Sequence, residues 1–174
     1  MRAFAAFAAA CLLAGAASAH PHAETDAQAA LILAPDGIAL RLTAVPGTDH
    51  GPAVAARIDT DGDGLVLPAE AEAAARAVLA TATLAVDGAP VPLALTSAEA
   101  DPADWLAAGM GYVRAEAAAA VDLAGSQTVT LRIGHDGYGA GWFVQPYYAQ
   151  GLVKTVGAPA VDRAEGAMTL TFGD

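Results

Sequence analysis

The sequence predicts a mainly β domain, an antiparallel β-sandwich carrying an inserted helix–loop–helix. Three observations lead there. Short apolar runs are punctuated by Gly, Pro and Asp-Gly turns, which favours paired sheets over alternating βα units. Strict in–out alternation appears at 127–133, with Val129, Leu131 and Ile133 on one side, and again at Met168, Leu170 and Phe172. Between about 52 and 80 the pattern changes to alanine-rich helix formers around an acidic loop. No repeat or linker divides residues 20–174, so one domain is expected.

Taken in order, the apolar runs 27–33 and 38–45 flank Pro35-Asp36-Gly37, a hairpin signal. Pro52 opens a short helix to Ile58, and Pro68 opens a second to Ala80, in which Glu72 and Arg76 are spaced as an i,i+4 pair. Alanines 71, 74 and 75 let that helix lie close against a sheet. Runs 84–86 and 91–96 flank Asp87-Gly88-Ala89-Pro90 as a second hairpin, and 97–111 reads as a connection. Residues 112–123 alternate as a half-buried strand, although 117–120 suits a helix equally well. The stretches 142–144 and 152–156 read as further strands before the closing 168–172.

The loop between the two helices is the sharpest chemical signal. Residues 59–70 run Asp-Thr-Asp-Gly-Asp-Gly-Leu-Val-Leu-Pro-Ala-Glu and fit the twelve-residue EF-hand calcium pattern at every diagnostic position. Calcium is a hard cation that gathers several oxygens, so Asp59, Asp61 and Asp63 supply carboxylates, Leu65 its carbonyl, and Glu70 both oxygens. Val66 is the apolar anchor at position eight. Leu67 at position nine has no side-chain oxygen, which assigns that place to water. The bland alternative is a solvated acidic turn. Against it, four carboxylates within twelve residues repel one another without a cation.

A basic start, an apolar run over 3–16 and Ala17-Ser18-Ala19 read as a secretory signal peptide over 1–19. Reading Cys11 as a lipid-bearing residue instead leaves a very short apolar stretch before it. With cleavage after Ala19 the mature chain has no cysteine and loses Arg2 but no acid, so it stays strongly acidic beyond the −11 of the full chain. That charge argues against nucleic acid or anionic lipid as partner. No second apolar stretch suits a membrane span. A periplasmic or secreted protein is expected.

His20-Pro21-His22 would then open the mature chain. An N-terminal histidine chelates through its amine and ring, and His22 adds a third nitrogen, a set suited to copper, nickel, cobalt or zinc. Against this stands the ordinary polar lead-in of exported proteins. His50 and His135-Asp136 are further candidates with nothing in the sequence to bring them together. The stretch 135–148 holds most of the mature chain's aromatics. Tyr138 and Trp142 on a glycine-flexed loop suit a ligand or partner, while the bland reading packs Trp142, Phe143 and Tyr147 into the core. No G-x-S-x-G, H-E-x-x-H or P-loop occurs, so no catalytic residue is assigned and an enzyme is not expected.

On these residues the chain resembles two groups of exported proteins. His20-Pro21-His22 followed by the loop at 59–70 is similar to periplasmic proteins encoded near nickel/cobalt transporters. Asp59 through Gly64, then Val86-Asp87-Gly88, then Gly141-Trp142, resemble in order the extracytoplasmic part of HupE/UreJ-type proteins. Two departures stand out. This sequence lacks the membrane-spanning helices of the second group, and Ala23-Glu24-Thr25-Asp26 lacks the bulky apolar run of the first. The resemblance implies a calcium-binding accessory module linked to metal handling, with a membrane metal transporter as the implied partner and calcium mainly structural. Its alternative is a transition-metal chaperone using His20 and His22.

Overall fold

The computed structural model describes residues 24–125, 128–134 and 141–173. They form two five-stranded sheets. The chain opens with β1 (Asp26–Ala34) and β2 (Gly37–Val45), paired antiparallel from Asp26↔Val45 to Ala34↔Gly37 across the Pro35-Asp36 turn. Helices α1 (Gly51–Ile58) and α2 (Pro68–Leu79) follow, as their opening prolines and unbroken helix formers predict. The hairpin β3 (Ala82–Val86) and β4 (Ala89–Val91) turns through Asp87 and Gly88 at φ 50° and 79°, the two left-handed positions of a type I′ turn.

Beyond this point the structure departs from the sequence reading in several elements and settles one that propensity left open. The run 91–96 splits, because β4 ends at Val91 and β5 (Ala94–Ala100) pairs in the other sheet. Residues 97–111 therefore hold part of a strand and a short helix, α3 (Ala103–Ala107), rather than a plain connection. Residues 117–120, ambiguous by propensity, belong to β6 (Val113–Ala120), where Val113, Ala115, Ala117 and Ala119 alternate inward. Strand pairing with β2 on one side and β5 on the other overrides the helix preference of alanine. After β7 (Thr128–Ile133) and β8 (Phe143–Tyr148), the stretch 152–156 is helical, within α4 (Gln150–Val156). Only Leu152 is fully buried there, Val156 packs half-buried against the core, and Gly157, at φ 80°, ends the helix. The chain closes with β9 (Ala160–Ala164), a strand the sequence did not announce, and β10 (Ala167–Thr171).

The first sheet runs β5-β6-β2-β1-β8 and the second β4-β3-β7-β10-β9. All pairs are antiparallel but one: β8 lies parallel to β1, from Gln28↔Phe143 to Leu33↔Tyr148. The expectation of a wholly antiparallel architecture is corrected there. Strand β8 follows β7, which belongs to the other sheet, so no tight hairpin fixes its direction.

Buried residues of both sheets contribute to one apolar cluster. Leu31, Leu33, Ile38 and Leu40 from the first sheet join Leu131, Met168 and Leu170 from the second, all essentially without solvent contact. Each such side chain contributes about 1.5–3 kcal/mol by leaving water. The helices extend this cluster. Helix α2 buries Ala71, Ala75 and Val78 and lies against β5 and β6, the small side chains permitting close approach. Helix α1 buries Val54, Ala55 and Ile58 and packs on α3. Gly51 is required at that contact, since a Cβ would stand 2.4 Å from the Leu106 carbonyl oxygen and 2.8 Å from that of Ala107. Among the described residues no helix is long and apolar enough to cross a membrane.

Candidate metal centre

The loop between α1 and α2 is shaped by its own carboxylates. Asp59 accepts from the Gly62 N–H at 2.8 Å and, through its other oxygen, from the Gly64 N–H at 2.9 Å. Asp61 accepts from the Asp63 N–H at 3.2 Å, and Asp63 from the Leu65 N–H at 2.8 Å. Short acidic side chains close such turns on their own backbone, which is the local reason for the D-x-D-x-D spacing. Gly62 and Gly64 sit at φ 74° and 84°, a conformation that side-chain-bearing residues resist.

These turns bring the three acids together. One carboxylate oxygen each from Asp59, Asp61 and Asp63 lies within 4.8 Å of the others, with Asp61 and Asp63 exposed and Asp59 half-buried. A calcium ion holds its oxygens at about 2.3–2.6 Å, so ligands around it stand up to about 5 Å apart. The trio fits that sphere. The Leu65 carbonyl accepts no backbone hydrogen bond among the described residues, which leaves its lone pairs available. Val66 is half-buried and packs against the core cluster, as an anchor should.

Glu70 behaves differently. Its Oε1 accepts from both the N–H and the hydroxyl of Thr60, each at 2.6 Å, and its Oε2 accepts from the Leu67 N–H at 3.0 Å. Leu67 is the N-cap of α2 and has no side-chain acceptor, so Glu70 at N3 supplies the reach-back half of a capping box. The Thr60 hydroxyl bond, then the Leu67 and Thr60 backbone bonds, hold the carboxyl at a pKa of about 2, below its ordinary 4.5. Glu70 thus joins the two ends of the loop and is not one of the three clustered acids. Bidentate ligation requires Oε1 to release one of its two Thr60 donors, since each oxygen has two lone pairs.

The other candidates do not converge here. His20, His22, His135, Asp136 and Tyr138 lie outside the described residues. His50 precedes α1, and its buried Nδ1 has no hydrogen-bond partner among the described residues. It does not belong to the acidic group. Of the aromatics assigned to the core, only Trp142 is buried; Phe143 and Tyr147 are exposed at 59% and 49%. The reason is register: β8 turns its odd-numbered side chains to the outer face.

Thr60, which holds Glu70 in place, is the loop residue that sequence reasoning missed. Position two of the loop carries no ligand in the pattern, so nothing in the spacing marks it. Comparison with protein-family models, curated proteins and solved structures finds no match, so the site is read from its own geometry.

Proposed function

We propose that the protein is an exported calcium-binding module: a β-sandwich with an EF-hand-like insertion in which the ion is structural. The convergence of Asp59, Asp61 and Asp63 within one ligand sphere is the observation that carries the reading. When bound, calcium would neutralise three like charges and be held by those carboxylates, the Leu65 carbonyl and Glu70. The chain's own residues do the rest. Gly62 and Gly64 let the loop fold back, Val66 anchors it to the core, and α1 and α2 fix its ends against α3 and the β5–β6 edge.

A structural role agrees with the loop's setting. Its helices are short and packed against strands and α3, not against a second loop of the same kind, and coupled pairs are what sensor hands rely on. The resemblance to metal-handling accessory proteins supports export and a partner in metal transport as part of this proposal.

The test is a melting curve at about 10 mM calcium against chelator. Extracellular calcium modules bind at about 10⁻⁴ to 10⁻³ M, so calcium at that level stabilises by about 1.4–2.7 kcal/mol, raising Tm by roughly 3–10 °C. The paired variant Asp61→Ala, Asp63→Ala, which removes both ligand oxygens, should lose the shift. An equal shift in that variant, or the same shift with magnesium, would sink the proposal.

A further inference from the structure

Strand β8 is an edge of the first sheet and β9 an edge of the second, and residues of both line one cleft. There the Gly166 N–H, in the β9–β10 turn, donates to the Trp142 carbonyl at 3.0 Å. Beside this bond opens a cleft of about 460 Å³ lined by Trp142, Phe143, Val144, Arg163 and Glu165. That volume lies in the range of small-ligand sites.

Arg163 is the unusual member. It pairs in register with Met168, which is essentially without solvent contact, so it projects from the inward-facing side of the second sheet. Cross-strand partners share a face. At the edge strand that direction leads into the cleft, against the buried Trp142 and Val144. Arg163 makes no ion pair among the described residues, and Glu165 is folded over Gly141, where even a Cβ would collide with it. The Arg163 charge also acts on the Tyr148 phenol: burial pushes that phenol's pKa up and Arg163 opposes it. The Tyr148 hydroxyl is buried without a hydrogen-bond partner among the described residues. A cation with no ion pair among the described residues, set over an apolar floor, stands out in a chain of net charge −11.

We propose that this cleft binds a small organic carboxylate, its acid group on Arg163 and its apolar body against Trp142 and Val144. Guanidinium matches carboxylate geometry and can bind it through two parallel hydrogen bonds. An open cleft with one charge contact implies weak binding, with Kd on the order of 1 mM.

The probes are benzoate and hexanoate, with benzamide and hexanamide as neutral controls of the same shape. Trp142 fluorescence in a Trp105→Phe background reports binding, and far-UV dichroism with a melting curve confirms that each variant is folded. The acids should bind at least tenfold tighter than the amides, and the difference should shrink as salt is raised. Arg163→Gln should abolish the preference, Arg163→Lys should retain part of it, and Glu165→Gln should strengthen acid binding. Equal binding of acids and amides would overturn the proposal. So would an unchanged acid preference in a folded Arg163→Gln protein, or no response to any probe. In those cases Arg163 only guards an open strand edge, a known use of inward-pointing charge. The calcium reading stands or falls separately, because neither its ligands nor its helices line this cleft.

Discussion

The β1–β2 hairpin and the α1–loop–α2 segment are adjacent in sequence yet held by different forces. The hairpin is fixed by burial. Leu31, Leu33, Ile38 and Leu40 have 2% exposure or less, and its outer face carries few charges. The helical segment buries smaller side chains, and its loop is shaped by bonds from surface carboxylates to backbone N–H groups. Apolar burial binds neither protons nor cations, whereas exposed carboxylates respond to both and to screening by salt. The loop can therefore be tuned by solution conditions while the sheets stay unchanged.

The largest effect should come from the sheets. Leu131→Ala removes a fully buried side chain and should cost about 2–5 kcal/mol in denaturant unfolding. The calcium stabilisation we propose should survive intact in that variant. Loss of the calcium shift would break the separation between the two regions.

Next is the join between them. Gly51→Ala places a Cβ against two α3 carbonyl oxygens, backbone groups that cannot swing aside. Overpacking of this kind costs about 1–3 kcal/mol. Because α1 carries the first loop residue at its end, the variant should also weaken calcium binding, measured by titration. An unchanged calcium affinity would show that α1 does not position the loop.

The loop's response to acid sharpens the contrast further. The Glu70 pKa is lowered from 4.5 to about 2, first by the Thr60 hydroxyl and then by backbone donors. A lowered carboxyl pKa stabilises the fold above the ordinary value and loses that contribution as pH falls toward the folded one. Between about pH 4.5 and 2, then, the Thr60 and Leu67 amide resonances should titrate together while those of β1 and β2 do not. Glu70→Gln should abolish that shared transition and leave the sheet signals unaffected.

How much of this was legible in the sequence follows the same division. The hairpin and both helices were readable because Asp-Gly turns and opening prolines act locally on backbone conformation. The three aspartates were readable because their spacing is set by turns within the loop itself. What stayed hidden depended on distant partners. The parallel seating of β8 beside β1 is decided across more than a hundred residues, as is the register that exposes Phe143 and Tyr147. Strand β9, exposed along its whole length, carries no alternation to read. Thr60 was missed because its partner is Glu70, ten residues away across the loop.

The smallest effect is expected on the outer face of the first sheet, which tests whether charge matters there at all. Arg41 Nε lies 2.6 Å from Glu116 Oε1, on side chains 51% and 36% exposed. That hydrogen bond is the main cause of the lowered Glu116 pKa, with the Arg41 and Arg114 charges and the Ser97 hydroxyl adding to it. The sign is again that of a carboxylate, with stability present above its ordinary pKa and lost as pH falls below it. Solvent screening keeps the magnitude small, about 0.2–1 kcal/mol in a double-mutant cycle of Arg41→Ala and Glu116→Gln, and less at high salt. A coupling well above that range would mean that charge helps to hold the strands as it does the loop, and the distinction between the two regions would fail on its own sheet.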